Sequence, residues 1–179
     1  MIGSVVPMIA ENENHLTVRQ ALPVDAPALA ALYRELVGDS RINVTPSQVG
    51  RMAESDVSFL LVAVGDGEVC GTVLLTLCPD AMYGEQPFGV IENLVVMGAR
   101  RASGVGGMLM EHIEQIAMER RCTKLMLLSS AHRREAHAFF RHQGYSFDKK
   151  VGFVRYASAF GSAPAARAEA GDGGDGPGA

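Results

Sequence analysis

The stretch from residue 58 to residue 77 constrains the fold more than any other part of the sequence. Two apolar runs, SFLLVAV and VCGTVLLTL, flank the short turn GDGE. The Asp66-Gly67 pair in that turn suits a tight hairpin, because both residue types tolerate a positive φ. The two runs are therefore predicted to pair as antiparallel strands.

The chain after this hairpin follows a strand–helix–strand pattern. The run VIENLVVM at 90–97 is predicted as a strand, and apolar positions recur with a helical period from Gly104 to Arg121. A further apolar run, TKLMLLSS at 123–130, is predicted as a buried strand parallel to the first. Antiparallel and parallel pairs together imply a mixed sheet with helices on its faces.

The remaining elements complete a predicted order of β, α, α, β, β, β, α, β, α, β. Asp25 is a candidate N-cap of the first helix, 45–55 carries a second short helix, and Gly144 ends the last one. Strands are predicted at both ends of the region, within 15–22 and 151–157. We predict the α/β (α+β) class, a mixed central sheet of about six to seven strands flanked by about four helices.

Composition divides the chain of 179 residues into three segments. Residues 1–15 are predicted to be a flexible lead-in. Residues 16–158 hold the predicted domain, and with 47% hydrophobic residues overall the chain can bury a sizeable core. Residues 159–179 are rich in Gly, Ala and Pro with almost no large apolar residue, so we expect a disordered tail.

Charge and cysteine usage exclude several classes of function. A formal net charge of −4 argues against a broad nucleic-acid or membrane-surface partner. The three cysteines, Cys70, Cys78 and Cys122, are widely spaced without a CxxC pair, which argues against a disulfide framework and a zinc site. The sequence has no signal-peptide pattern and no apolar run of membrane-spanning length, so we expect a cytoplasmic protein.

The segment ARRASGVGG at 99–107 places three glycines between a strand and a helix. Unpaired N–H groups at a helix start can bind a phosphate, and glycines let the phosphate approach the backbone. A P-loop requires a Gly-Lys-Ser/Thr sequence that is missing here. A dinucleotide-binding GxGxxG motif requires a third glycine where this chain has Leu109.

A third phosphate-binding pattern fits better. Residues 101–106 read R-x-x-G-x-G, preceded by Leu94-x-Val96, and residues 136–145 read A-x-x-F-F-x-x-x-G-Y. With the element order above, these segments resemble the acetyl-CoA-binding regions of the GCN5-related N-acetyltransferase (GNAT) superfamily. The resemblance covers about residues 16–157.

The resemblance implies acetyl-CoA as the co-substrate, with no metal. The strands at 91–96 and 124–130 are expected to splay apart at one end, so that the pantetheine arm can hydrogen-bond to the opened backbone. The residues expected to bind acetyl-CoA are the backbone of Leu94, Val95 and Val96, the pyrophosphate loop of Arg101, Ala102, Ser103, Gly104, Val105, Gly106 and Gly107, and the flanking Arg133 and Phe140.

Two residues are candidates for proton transfer. Glu92 is an ionisable residue in an otherwise apolar strand, and some members of the superfamily carry a glutamate there as base or amine ligand. The alternative is that Glu92 faces solvent or pairs with an arginine. Many members have a tyrosine where this chain has Phe140, so His137 is a candidate replacement donor to the thiolate, with solvent protonation as the alternative.

The predicted function is acetyl transfer from acetyl-CoA to a primary amine by direct attack. A small-molecule acceptor is the first choice and a protein amine the second. Dimers are common in the superfamily, so a homodimer is an open alternative. A non-catalytic acyl-CoA-binding regulatory module is the second functional hypothesis, favoured by the missing tyrosine. A nucleotide-binding oxidoreductase is the third.

Overall fold

The computed structural model describes residues 16–161, and the chain divides after Ser146 into two units. The described part of the first unit holds every strand and α-helix. The described part of the second unit holds one short 3-10 turn at Ala157–Ala159. The predicted lead-in at 1–15 lies outside the described residues, and so does the predicted tail at 159–179 from residue 162 onward. Within 16–161, none of the helices combines the length and hydropathy that spanning a bilayer requires.

The first unit is a mixed α/β structure with one sheet and four α-helices. The sheet has the order β1-β2-β3-β4-β5; neighbouring strands from β1 to β4 are antiparallel, and β5 is parallel to β4. The strands are β1 (Thr17–Gln20), β2 (Ser58–Gly65), β3 (Glu68–Cys78), β4 (Phe88–Val96) and β5 (Leu125–Leu127). The helices are α1 (Ala26–Val37), α2 (Pro46–Ala53), α3 (Val105–Glu119) and α4 (Arg134–His142).

The predicted hairpin is confirmed as β2 and β3. Its turn residues Asp66 and Gly67 have φ values of 53° and 80°, the left-handed conformation that the Asp-Gly pair was expected to adopt. Gly144, with φ of 84°, likewise follows the end of α4. Local sequence signals therefore placed these chain reversals correctly.

The prediction of six to seven strands is wrong for the described residues, which form five. Residues 151–156 contain no regular strand, although VGFVRYA alternates as a strand would. β5 is three residues long, whereas the apolar run extends over 123–130. A strand exists only where its backbone finds a pairing edge, and side-chain alternation alone does not supply that edge.

Two apolar clusters pack on opposite faces of the sheet. The first core contains α3 residues such as Leu109 and Ile113 with β3 and β4 residues such as Leu75 and Ile91, and Phe139 and Phe140 of α4 pack against it. The second core contains side chains from α1, α2 and β2, and Tyr33 and Leu74 pack against it. Helices α3 and α4 thus cover one face, and α1 and α2 cover the other.

Asp25 lies at the predicted N-cap position of α1 but does not cap that helix with its side chain. Its carboxylate accepts two hydrogen bonds from Arg19, at 2.7 and 3.0 Å, and one from the backbone N–H of Leu22 at 2.7 Å. This ion pair holds the pKa of the Asp25 carboxyl below its ordinary value. The contact fastens the start of α1 to β1.

Candidate active site

A bulge bends β4 next to the point where its pairing with β5 ends. Thr72 and Leu74 of β3 pair with Val95 and Glu92, so two residues of β4 lie opposite the single residue Val73. One of the two is Asn93, whose φ of 57° is left-handed. Asparagine tolerates this conformation better than most residues do. The bulge turns β4 away from its regular course just beyond its last pairing with β5.

Strands β4 and β5 pair over only three residues. Their ladder runs from Gly89↔Leu125 to Ile91↔Leu127, while β4 itself continues to Val96. The edge of β4 that faces β5 has no pairing strand from Glu92 onward, within the part of the chain that the structure describes. That edge carries backbone groups that an added extended chain could use.

A cleft of about 340 Å³ opens where the two strands separate. Its walls come from β4, the end of β5 and the chain between β5 and α4, the last turn of α1 and the last turn of α4. The lining residues are Leu36, Val37, Ile91, Glu92, Asn93, Leu94, Leu127, Leu128, Ser129, Ser130, His132, Arg133 and Phe140. The predicted Glu92, Leu94, Arg133 and Phe140 are therefore brought together, whereas the cleft is not lined by Val95, Val96 or His137.

Glu92 lines the cleft from the side of α1 and α2. Its partner in the antiparallel register is Leu74, which packs against the second core. The next pair, Ile91 and Leu75, belongs to the first core on the opposite face. Glu92 is exposed within the described residues, so a solvent-accessible carboxylate stands in the cleft.

His137 is tied to the chain that follows β5. Its Nε2 lies 3.1 Å from the carbonyl oxygen of Ser130. The same carbonyl accepts a hydrogen bond from the backbone N–H of Arg133 at 3.0 Å. These contacts place His137 as a support for the turn between β5 and α4, behind the residues that line the cleft.

The glycine loop begins α3 without a side-chain cap. Gly104 occupies the N-cap position with φ of 87°, a conformation that favours glycine, and an added Cβ would meet nothing within 4 Å. Ala102, two residues earlier, has a left-handed φ of 57°. Because no side chain caps the helix, the first amides of α3, including that of Val105, are open to an external acceptor.

The other two glycines of the loop have different surroundings. A Cβ on Gly106 would come within 3.2 and 3.3 Å of ring carbons of Phe139, so the glycine lets α4 approach α3 closely. A Cβ on Gly107 would make only an ordinary contact of 3.9 Å with Gln143. From the sequence, all three glycines were expected to let a phosphate approach the backbone. The close packing of Gly106 against Phe139 was not predicted.

Both arginines of the loop form ion pairs with acids from other elements. Arg101 donates to Glu35 of α1 at 2.5 Å and to the carbonyl of Val96 at 3.4 Å. Arg100 pairs with Asp66 in the β2–β3 turn. Arg101, which the sequence analysis assigned to phosphate binding, is therefore already paired with the carboxylate of Glu35.

Two buried hydroxyls have no hydrogen-bond partner among residues 16–161: Ser129 Oγ and the phenol oxygen of Tyr145. Tyr145 packs edge-on against Phe140 with ring centroids 6.2 Å apart, and burial, aided by the charge of Glu114, raises the pKa of Tyr145 to about 12. Ser129 lines the cleft. Sequence reasoning missed Ser129 and Asn93; the only signals were a serine at the end of an apolar run and an asparagine inside one.

Comparisons with known proteins agree with this architecture. Residues 29–145 match the Acetyltransferase (GNAT) family. Aminoglycoside N(6')-acetyltransferase type 1 of Stenotrophomonas maltophilia is 28% identical over 141 residues, which cover 78% of this chain and 92% of that relative. An uncharacterized N-acetyltransferase of Bacillus subtilis (strain 168), YhfO, is 28% identical over 145 residues, covering 79% of this chain and 95% of the relative.

A solved structure gives the same fold. Aminoglycoside N-acetyltransferase AAC(6')-Iy in complex with CoA has a TM-score of 0.70 at 16% identity, covering 83% of this chain and 99% of that one. At this identity the likeness concerns the fold alone. Since the family match spans most of the chain and its relatives are acetyltransferases, the chain is an acetyltransferase and belongs to the GNAT family.

Proposed function

We propose that this protein transfers an acetyl group from acetyl-CoA to a primary amine of a small molecule by direct attack of the amine. The observation that carries the proposal is the unpaired edge of β4 beyond Ile91, which borders the cleft. An extended pantetheine arm can add to such an edge through backbone hydrogen bonds. The backbone of Leu94, Val95 and Val96 would hold the arm there, with Arg133 and Phe140 beside it.

The start of α3 fits the pyrophosphate of acetyl-CoA. An uncapped helix N-terminus presents backbone N–H groups and a favourable dipole to an anion. Gly104 has open space where its side chain would be, so a phosphate can approach the backbone there, and the loop of residues 102–107 is the proposed pyrophosphate site. Arg101 can add charge once its guanidinium exchanges Glu35 for the phosphate.

Glu92 is the proposed base. The acceptor amine is protonated near neutral pH and has to lose a proton before its nitrogen can attack a carbonyl carbon. Glu92 stands in the cleft on the α1–α2 side and is open to water, so it can bind an ammonium group and pass its proton to solvent. His137, bonded to the Ser130 carbonyl, is proposed as a positioning residue for the cleft wall.

The acceptor would enter from the α1–α2 side, where Leu36, Val37 and Glu92 form the wall of the cleft. A cationic amine suits the exposed carboxylate of Glu92. A relative at 28% identity carries the name Aminoglycoside N(6')-acetyltransferase type 1. Aminoglycosides are therefore the first acceptors to test, and peptide amines are the second.

The experiment is a thiol-release assay with acetyl-CoA and a panel of aminoglycosides, polyamines, amino acids and peptides with free N-termini. Amine-dependent release of CoA thiol, with acetylated product identified by mass, supports the proposal and names the acceptor class. Reactions without amine correct for hydrolysis. Binding of acetyl-CoA without release of thiol for any amine would favour a non-catalytic acyl-CoA-binding module. Thermal stabilisation of the protein by NAD(P) but not by CoA would contradict the proposed CoA site.

A further inference from the structure

We propose that Ser129 donates the hydrogen bond that stabilises the departing thiolate during acetyl transfer. This inference rests on the proposed function, because it assigns a role within the same cleft. Many members of the superfamily that the sequence resembles have a tyrosine where this chain has Phe140. A phenylalanine ring has no proton to donate, so a protein group that donates to the thiolate in this chain has to be a different residue.

Ser129 lies on the same side of the sheet as Phe140. Residues 125–130 alternate between partly buried and exposed, and Ser129 shares the partly buried set with Leu125 and Leu127. Those two leucines pack against the first core, as Phe140 does. Ser129 and Phe140 also line the same cleft. The serine therefore belongs to the side of the cleft from which a tyrosine at position 140 would act.

The Ser129 hydroxyl is available for a ligand. In the described region its Oγ is buried and makes no hydrogen bond. Buried hydroxyls nearly always have a partner in folded proteins, so the Ser129 hydroxyl is open to a water molecule or to a group that enters the cleft. A serine side chain moves among three staggered positions by rotation about one bond, so the Oγ can turn toward a group that enters the cleft.

The other candidate donors are engaged or displaced from the cleft. His137 uses Nε2 at the carbonyl of Ser130, 3.1 Å away. Tyr145 packs edge-on against Phe140 and does not line the cleft. Of the hydroxyl groups that line the cleft, those of Ser129 and Ser130, only that of Ser129 is buried and unpartnered.

Ser129 and Glu92 belong to opposite faces of the opened strands. Glu92 is paired in register with Leu74 and faces α1 and α2, whereas Ser129 shares the face of the first core. The attacking nitrogen and the leaving sulfur occupy different corners of the tetrahedral carbon, so a base for the amine and a donor for the thiolate act from different directions. The splayed strands supply that separation.

The step balances as follows. The amine nitrogen forms a bond to the acetyl carbonyl carbon, and the carbon–sulfur bond breaks with its electron pair on sulfur. Ser129 donates its hydrogen bond to the sulfur as negative charge develops there. The proton lost from nitrogen passes to Glu92 and on to water, and the thiolate takes up a proton from water. No oxidant or reductant is required.

The first test is kinetic and includes a rescue. Ser129→Ala should lower kcat about 10²-fold, the lower end of the range for removing one preorganised hydrogen-bond donor, with the Kd of CoA unchanged. Phe140→Tyr in the Ser129→Ala background supplies a phenol from α4 and should restore most of the lost rate. Thr123→Ala is the control, because it removes a hydroxyl just before β5 and outside the cleft, and it should retain the wild-type kcat.

The second test needs no turnover. The thiolate of CoA absorbs in the ultraviolet, so the pKa of the bound thiol can be titrated by difference absorbance. A hydrogen bond from Ser129 favours the thiolate, and Ser129→Ala should therefore raise the pKa of the bound thiol, lowering its acid dissociation constant about tenfold. The same titration with Thr123→Ala should match the wild type.

Two results would overturn the assignment of Ser129. One is an undiminished kcat in Ser129→Ala. The other is a loss of rate that Phe140→Tyr fails to repair while the pKa of the bound thiol stays unchanged, since Ser129 would then act only through structure. A wild-type protein that neither binds CoA nor releases thiol contradicts the proposed function instead, so the two failures are distinguishable.

Discussion

Arg101 donates a hydrogen bond to Glu35 at 2.5 Å, and this pair connects the loop before α3 to the last turn of α1. The same turn of α1 contributes Leu36 and Val37 to the cleft. A pyrophosphate at the loop would compete with Glu35 for the guanidinium. In the proposed complex the phosphate would take the place on Arg101 that the carboxylate of Glu35 occupies here.

Glu35→Gln should strengthen CoA binding. The variant frees Arg101 from its carboxylate and removes a negative charge next to the phosphate site. The side chains of Arg101 and Glu35 are 60% and 38% exposed, so the pair is worth little in water and the Kd for CoA should fall only about two- to fivefold. Isothermal titration calorimetry at low and high salt measures the change, which should shrink as salt rises.

Two controls isolate the effect of Glu35 on the phosphate. Asp66→Asn removes the same charge from the partner of the neighbouring Arg100 and should leave the Kd for CoA unchanged. S-acetylpantetheine lacks the pyrophosphate, and its kcat/KM should be the same for the wild type and Glu35→Gln. Weaker CoA binding by Glu35→Gln would mean that Glu35 orients Arg101 toward the phosphate.

Gly106→Ala should destabilise the protein, whereas Gly107→Ala should not. A methyl on Gly106 meets the ring of Phe139 at 3.2 Å, and that ring is held by the first core and by an edge contact with Phe140. We expect a loss of about 1 kcal/mol in the free energy of unfolding, because the crowding outweighs the helix propensity of alanine. Urea unfolding followed by circular dichroism provides the measurement.

Gly107→Ala is the matched control for Gly106→Ala. It makes the same chemical change in the same helical turn, and its Cβ would meet only Gln143, at 3.9 Å. Alanine should therefore stabilise α3 here by up to about 1 kcal/mol. Equal stabilities of the two variants would show that Phe139 moves aside without cost.

Much of the fold could be predicted because its signals are local. An Asp-Gly turn, a glycine after a helix and a helical period each act within a few residues, and the hairpin, α3 and the end of α4 followed from them. The strand predicted at 151–157 failed for the opposite reason. Pairing depends on an edge of the sheet that is distant in the sequence. Residues 151–156 alone do not indicate whether such an edge is available to them.

In the candidate site, too, the local features could be predicted from the sequence and the contacts between distant residues could not. The loop at 101–107 was recognisable because a phosphate-binding pattern lies in one short segment. The Arg101–Glu35 pair spans 66 positions in the sequence, and the contact between Gly106 and Phe139 joins two helices. The orphaned hydroxyl of Ser129 is visible only once its surroundings are known. Contacts of this kind arise from packing, which the sequence does not display.

Glu92→Gln tests the proposed base. The amide keeps the size of the side chain in the cleft but cannot take a proton from an ammonium group. With the acceptor found in the thiol-release assay, kcat should fall about 10²-fold or more. The Kd for acetyl-CoA, measured by calorimetry, should stay unchanged because Glu92 lies on the α1–α2 side of the cleft.

Glu68→Gln serves as the control for Glu92→Gln. Glu68 is an exposed carboxylate at the start of β3, beside the hairpin turn and outside the cleft. Its variant should keep the wild-type kcat. A Glu92→Gln protein that retains a near-normal rate at every pH would assign proton removal to water and leave Glu92 with a structural role.

Asp25→Asn should reduce stability in a pH-dependent way. Arg19 and the amide of Leu22 bond to the Asp25 carboxylate, which is 6% exposed, and the bonds to Arg19 are the main cause of its lowered pKa. Arg19 is 38% exposed, so water screens part of the pair. We expect Asp25→Asn to lose about 1–2 kcal/mol of unfolding free energy at pH 7, near the lower end for hydrogen bonds to charged groups.

The sign of the pH effect follows from the lowered pKa of Asp25. An unfolded aspartate titrates near pH ~3.9, and the folded one binds its proton only at lower pH. The wild-type advantage over Asp25→Asn is therefore full above about pH 5 and declines as the pH falls through the folded pKa. Urea unfolding of both proteins between pH 7 and pH 3 measures it. Asp39→Asn, which removes a partly exposed carboxylate paired with the 89%-exposed Arg41, is the control and should change stability less at pH 7, because water screens that pair. A constant difference between wild type and Asp25→Asn down to pH 3 would mean that Asp25 contributes through packing and not through its charge.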